Sequence, residues 1–369
     1  MHIVLFFTFD YSLKTWFDSG HITRELKFYN YLIEKGIKVS FVTYGDMEDL
    51  KILKNTKIDV YPIYSLTKKS KFKFINILKS IFLPIKLKKK IDLSSQNIIV
   101  KQNQLMGSWV SIIFKFLING KIYTRTGYDM YLFSIKENKG FVKKLLYFLL
   151  TQITILFSNY YSVTSKSDQT FLRNKFLGAK NIIVRPNWVD VEMDSKQQKY
   201  EDRLLAVGRL EKQKNFSELL HAVRETGFSV DIYGEGSLKE ELIEVAKKLE
   251  INLNIYNNVE NEQLLDIYKK YKYFVSSSIF EGNSKVVLEA LANGCLVIAK
   301  DIENNREIIG DDCGLLYKKN LNELLIKCQN REFEVSELTK NASNKIRKTY
   351  SREKVFSDYL SDFKNITKN

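Results

Sequence analysis

Cysteine is scarce in this chain. Cys295, Cys313 and Cys328 are odd in number, and their spacings suit neither a zinc site nor a disulfide framework. Cys295 opens the apolar run Leu296–Val297–Ile298–Ala299 and reads as a buried thiol. The sequence opens without a secretory signal pattern, so a reducing cytoplasm is the expected setting. Proline occurs only at 62, 84 and 186, beside sixteen glycines, which excludes low-complexity and collagen-like classes. Long apolar runs are also missing. The longest candidate, LLYFLLTQITILF at 145–157, is too short to span a bilayer and reads as a buried helix.

What the chain has in excess is positive charge, and only in one half. Residues 1–186 carry 30 Lys and Arg against 12 Asp and Glu, whereas the remainder is slightly acidic. A uniform compositional bias does not produce that split. The first half is expected to meet something anionic. Segment 68–90 concentrates the effect, with nine lysines and no acid interleaved with Phe72, Phe74, Ile75, Ile77, Leu78, Ile81, Phe82 and Leu83. That is the composition of an interfacial membrane helix, or of a core helix with a lysine-covered outer face. Pro84 is expected to end or kink it.

The length, 369 residues, favours two domains. Both halves alternate short apolar strands with helical patterns. HIVLFF (2–7), a helix stopped by Gly36 and KVSFVTYG (38–45) make the first strand–helix–strand unit. NIIVKQ (97–102), KIYTRTG (121–127) and YYSVTS (160–165) continue the series. The second half reads strands at 203–208, 228–234, 252–257, 273–278, 295–300 and 314–318, with helices between them. Such alternation implies parallel sheets covered on both faces, with ligands beyond the carboxyl ends of the strands.

Three motifs sit at such ends. Gly208–Arg209–Leu210 with Lys214–Asn215 follows a strand and opens a helix. A sharp glycine turn, two cations and free helix N–H groups suit a diphosphate, although a solvated basic loop reads equally well in isolation. Tyr233–Gly234–Glu235–Gly236–Ser237 is a tight turn whose glycines allow close approach to a ligand, although a purely structural turn reads at least as well. The third motif is Glu281–Gly282–Asn283–Ser284–Lys285, continuing through Glu289 to Gly294. Glu281 is placed to accept hydrogen bonds from sugar hydroxyls. The N–H groups of Gly282, Asn283, Ser284 and Lys285 are placed to face phosphates. Glu289 lies among Val286, Val287, Leu288, Ala290 and Leu291, where a carboxylate is costly unless it is paired or ligand-bound.

Together these motifs resemble the retaining glycosyltransferases of family 4, in the branch that builds bacterial surface polysaccharides. The resemblance is strongest over 203–318 and extends to Tyr350–Ser351–Arg352–Glu353. It implies the α/β GT-B fold: two facing Rossmann-like domains with parallel sheets. The implied limits are an acceptor domain at 1–186, a nucleotide-sugar donor domain at 187–348, and a C-terminal helix at 349–369 returning to the first. It also implies roles. Arg209 and Lys214 would neutralise the donor diphosphate, Glu281 would meet the donor sugar, and Glu289 would bind the ribose. Gly208, Gly234, Gly236, Gly282, Asn283, Ser284 and Lys285 would line the donor site. Ser19 and Gly20 would approach the transferred sugar. No metal and no cofactor is expected, the two cations serving the leaving group instead.

The sequence departs from the family in its first half. Ser19–Gly20 stands where many relatives carry two glycines, and Thr124–Arg125–Thr126–Gly127–Tyr128–Asp129 holds no histidine. Arg125 is a candidate replacement contact; His21, after Gly20, either reaches the cleft or starts the following helix; His2 and His221 read as structural. The expected partners are a nucleotide sugar, UDP-linked before GDP-linked, a glycan or lipid-linked glycan acceptor, and an anionic membrane. The expected location is the cytoplasmic face of that membrane. Two other readings are a sugar-nucleotide epimerase of the same fold and a basic nucleic-acid binder. The latter lacks any nucleic-acid module, and nucleic acid is not an expected partner.

Overall fold

The computed structural model describes residues 1–127, 129–191 and 198–368. The chain divides into two compact units, one made of Met1–Arg185 and Phe356–Asn369, the other of Pro186–Val355.

The first unit begins β1 (His2–Phe6), α1 (Leu13–Asp18), α2 (Ile22–Glu34), β2 (Lys38–Thr43), α3 (Met47–Ile52) and β3 (Ile58–Pro62). It continues α4 (Ile63–Leu66), α5 (Lys73–Lys88), β4 (Ile98–Asn103), α6 (Ser108–Ile118) and β5 (Lys121–Arg125). Then follow α7 (Met130–Lys136), α8 (Phe141–Phe157), β6 (Tyr160–Val163), α9 (Lys166–Lys175) and β7 (Ile182–Val184). The strands form one parallel sheet in the order β3-β2-β1-β4-β5-β6-β7. Strand β3 was not anticipated; its short IDVYP run mixes exposed and buried positions.

The second unit holds β8 (Tyr200–Val207), α10 (Phe216–Val223), β9 (Ser229–Tyr233), α11 (Lys239–Lys248), β10 (Leu253–Tyr256) and α12 (Asn261–Lys269). It adds β11 (Tyr271–Ser276), α13 (Lys285–Ala292), β12 (Leu296–Lys300), α14 (Glu303–Ile309) and β13 (Leu315–Tyr317). Helices α15 (Leu321–Gln329) and α16 (Val335–Thr349) close it, and α17 (Arg352–Lys368) leads back into the first unit. Its parallel sheet runs β10-β9-β8-β11-β12-β13. Both units are therefore Rossmann-like, each with a reversal of strand order beside its first strand. The two faces of the second sheet are covered by separate apolar clusters, one around Leu219, Val230 and Ile298, the other around Leu288, Val297 and Ile346.

In the first unit the end of α17 is seated on the sheet by charge and by rings. Arg185 donates to both Asp362 oxygens, Nε to Oδ2 at 2.7 Å and Nη2 to Oδ1 at 2.5 Å, and Tyr123 donates to the same carboxylate. Phe28 of α2 meets Phe356, Tyr359 and Phe363. The opposite face of the sheet carries α5, α6 and α8 side by side: Val4, Phe6, Val100 and Ile122 pack there with Leu83, Leu87, Val110 and Phe114.

Helix α5 carries Pro84 inside it and ends at Lys88, burying Asn76, Ser80, Leu83, Pro84 and Leu87. One expectation fails here. Helix α8 is not a buried helix. Leu145, Leu146, Leu149, Ile153 and Leu156 are exposed, and the residues it buries are Thr151, Thr154 and Ile155. An apolar run shows that one face can be buried; it does not choose which face the sheet takes. The three cysteines are buried free thiols, and burial holds the Cys295 thiol up at about 12.

Candidate functional site

The loop after β8 and the loop after β11 leave the second sheet where its strand order reverses, the position at which doubly wound sheets bind ligands. The chain stitches these loops together. Ile279 N–H donates to Gln213 O at 2.9 Å, and Gln213 Nε2 donates to Phe280 O at 2.9 Å. Ser277 Oγ donates to Lys214 O at 2.8 Å. Across this seam Lys214 Nζ donates to Glu281 Oε1 at 2.5 Å, both side chains being largely buried. Two motifs 67 residues apart in sequence thus place one cation and one carboxylate in contact. Arg209 stands beside them, exposed, with Nη2 3.3 Å from Gln213 Oε1.

Glycine is required here by backbone crowding. Gly208 has φ +151°, and a Cβ on it would sit 2.8 Å from Lys214 Cε, so its bareness lets the lysine cross the turn. A Cβ on Gly234 would lie 1.9 Å from Gly208 O, and one on Gly236 would lie 2.5 Å from Leu210 O. The glycine-rich turn after β9 is pressed against the loop after β8, and Leu210 N–H donates to Glu235 O at 2.9 Å. Glu211 secures the same junction by accepting from the N–H and hydroxyl of Ser237, both at 3.0 Å, and those bonds hold its carboxyl below the ordinary range. Gly234 and Gly236 are therefore explained by backbone packing alone.

Gly282, Asn283 and Ser284 lead into α13, whose N-cap is Ser284. Asn283 is buried and anchors the segment: its Oδ1 accepts from Asn187 N–H at 2.8 Å, and its carbonyl accepts from Asn187 Nδ2 at 2.7 Å. Lys285 and Glu289 are one turn apart, with Nζ and Oε1 at 3.7 Å. Glu289, buried, also accepts from Asn261 Nδ2 at 3.0 Å and from the Tyr268 hydroxyl at 3.4 Å. Burial, with the Glu289 charge beside it, holds the Tyr268 phenol well above its usual value, so it remains a donor. Gln213, Ser277, Asn261 and Tyr268 are supporting residues that sequence reading missed. Gln213 lies between the two parts of the Gly208–Asn215 motif; Asn261 and Tyr268, on α12, had no local signal.

The candidates in the first unit are less organised. Ser19 and Gly20 end α1, and Ser19 Oγ lies 2.8 Å from His21 Nδ1 in an exposed turn that starts α2. Arg125, at the end of β5, donates to the Tyr359 hydroxyl and to Arg185 O, the latter at 3.1 Å. It helps hold α17. Tyr128 lies outside the described residues. A solvent-open hollow lined by Lys88, Asn97, Phe116, Asn119 and Lys121 opens at the amino ends of β4 and β5, the wrong end of the sheet for this fold class.

Two parallel sheets, each reversing beside its first strand, give the chain the fold of GT-B glycosyltransferases. Residues 191–349, which lie within the second unit, match the family described as "Glycosyl transferases group 1". The chain is 32% identical over 164 residues to the N-acetylgalactosamine-N,N'-diacetylbacillosaminyl-diphospho-undecaprenol 4-alpha-N-acetylgalactosaminyltransferase of Campylobacter jejuni, covering 42% of this chain and 45% of that protein. It is 30% identical over 190 residues to the amylovoran biosynthesis glycosyltransferase AmsD of Erwinia amylovora, covering 48% and 54%. The chain thus spans about half the length of these curated relatives. Among solved structures, TarM of S. aureus in complex with fondaparinux, alpha-GlcNAc-glycerol and UDP superposes with a TM-score of 0.74 at 15% identity, covering 98% of this chain and 100% of that one.

Proposed function

We propose that this chain is a retaining, metal-independent glycosyltransferase of family 4 that moves a sugar from a UDP-sugar to a lipid-linked glycan in bacterial surface-polysaccharide synthesis. The observation that carries the reading is the seam joining Lys214 to Glu281 at the reversal point of the second sheet. Relatives whose names specify a diphospho-undecaprenol acceptor and amylovoran biosynthesis support the acceptor class. A solved neighbour that holds UDP supports the base.

In this reading Arg209 and Lys214 neutralise the diphosphate as it departs, and the N–H groups of Gly282 to Lys285 add partial positive charge. Glu281 accepts from the sugar hydroxyls and offsets the positive charge that develops on the ring. Its ion pair with Lys214 holds both groups in position before the donor arrives. Glu289, steadied by Asn261 and Tyr268, takes the ribose diol. Ser19, Gly20 and His21 belong to the acceptor side. Segment 68–90 draws the enzyme to the anionic inner face of the cell membrane, where such an acceptor resides.

The test is transfer of labelled sugar from a panel of UDP- and GDP-sugars to undecaprenyl-diphosphate glycans, with anomeric analysis of the product. Acceptor-dependent transfer with the donor configuration kept is the expected result. Release of an altered free sugar without acceptor, or inversion at the anomeric carbon, overturns the reading.

A further inference from the structure

Helices α5 and α8 each turn a row of large apolar side chains toward solvent. Toward the sheet, α8 presents Thr151, Thr154 and Ile155, with Thr154 Oγ1 donating to Ser108 Oγ of α6 at 2.8 Å. Toward solvent it presents Phe141, Val142, Leu145, Leu146, Leu149, Ile153 and Leu156, with Phe141 78% and Leu146 57% exposed. Helix α5 buries Asn76 and Ser80 beside Leu83, Pro84 and Leu87, Ser80 Oγ accepting from Trp109 Nε1 at 2.8 Å, and still turns Phe74, Ile75, Leu78, Ile81, Phe82 and Ile85 outward. The period of about 3.6 residues makes each set a continuous stripe.

The two stripes share one face of the sheet. Helix α6 lies between them, tied to α5 by Lys88 Nζ donating to Leu117 O and to α8 by Lys115 Nζ donating to Phe157 O. Leu177, also exposed, borders α8 through its N–H bond to Gln152. The charge carried by these helices has one sign. Helices α5, α6 and α8 contain Lys73, Lys79, Lys86, Lys88, Lys115, Lys143 and Lys144 and no Asp or Glu. Helix α2, on the other face, mixes Arg24 and Lys27 with Glu25 and Glu34. Among the described residues no helix is long and apolar enough to cross a membrane, so these stripes suit lying on one.

We propose that α5 and α8 form a two-stripe docking face for an anionic bilayer, the leucines and phenylalanines entering the headgroup–acyl boundary and the lysines meeting lipid phosphates. The proposal rests on the attraction of segment 68–90 to an anionic surface and extends it to α8, a helix outside that segment. Uniform positive charge beside the apolar stripes selects a bilayer over a second copy, because two such faces would repel each other. Two stripes also fix the orientation of the unit on the surface, which one stripe leaves free to roll.

The experiment is flotation of the full chain with phosphatidylglycerol or phosphatidylcholine vesicles at low salt. It compares wild type with Leu146→Glu/Leu149→Glu and with Phe74→Glu/Phe82→Glu. These side chains are exposed, so melting curves should not move. Wild type should float with phosphatidylglycerol and far less with phosphatidylcholine. Each double variant should lose at least about tenfold in partitioning, the order expected for removing two apolar side chains from the boundary. A Leu146→Trp variant should shift its emission to the blue on binding. Full flotation of the α8 variant overturns the two-stripe proposal while leaving the basic segment's role intact. No flotation of wild type overturns both. A lipid-free dimer that the α8 variant dissolves assigns the face to self-association and also overturns the proposal.

Discussion

The two units share a topology and use it differently. In the second, the loops at the sheet's reversal are bonded to each other, and the polar groups there converge on Lys214 and Glu281. In the first, Arg125, a candidate contact in the sequence, is engaged by Tyr359, Arg185 is engaged by Asp362, and Ser19 and His21 sit in an exposed turn. In the second unit charges are paired across one loop seam; in the first, buried charge seats α17 and surface charge forms a lysine-rich face. A shared fold therefore does not predict where polar residues will be put to use.

The largest expected effect tests the structural use of charge in the first unit. Arg185→Ala leaves the Asp362 carboxylate, 4% exposed, without its bidentate partner. Chemical denaturation should show a loss of about 3 kcal/mol, the low end for a broken buried pair because the arginine is partly open to solvent. A loss below about 0.5 kcal/mol would make the pair incidental.

Next comes the site. Glu281→Gln should lower kcat by on the order of a hundredfold, the scale of one lost transition-state contact, while UDP affinity stays within about threefold. Near-wild-type turnover at saturating donor and acceptor would reduce Glu281 to a partner for Lys214. Glu289→Gln should instead raise the donor KM more than it lowers kcat.

Arg209→Ala and Lys214→Ala should each weaken UDP binding in calorimetry by roughly 1.5–3 kcal/mol. Unchanged affinity in the double variant would place the phosphates elsewhere and erase the contrast between the units.

A last contrast concerns Lys101, buried on β4 beside the Tyr29 hydroxyl at 3.2 Å. Burial, and then the charge of Arg125, lowers its ammonium to about 7. Between pH 7 and the ordinary lysine range near 10.5 the unfolded chain binds the extra proton, so this group makes the fold more stable as pH rises through that window; below 7 both states are protonated and the dependence ends. Melting curves should show Lys101→Met flattening the rise. Identical slopes in the two proteins would mean that Lys101 stays charged.

The second unit was the more legible in sequence because its motifs are local. Gly208 to Asn215 and Glu281 to Glu289 each carry their chemistry within nine residues, and strand–helix alternation set them at strand ends. Their support was not legible. Asn261 and Tyr268 reach Glu289 from another helix, and Gln213 reaches Phe280 across 67 residues. In the first unit β3 was missed because a short run with Asp59 and Pro62 has weak period-2 character.

By itself the sequence determined two parallel α/β sheets, the residue types of the candidate donor site, and the confinement of positive charge to the first half, since each follows from local period or composition. Only the tertiary structure decided that Lys214 pairs with Glu281, that Gly234 is bare to admit Gly208 O, and that α8 turns threonines inward and leucines outward. Period tells that a helix has an apolar face. Which face the sheet covers depends on the neighbours that reach it, and those neighbours are brought by the fold.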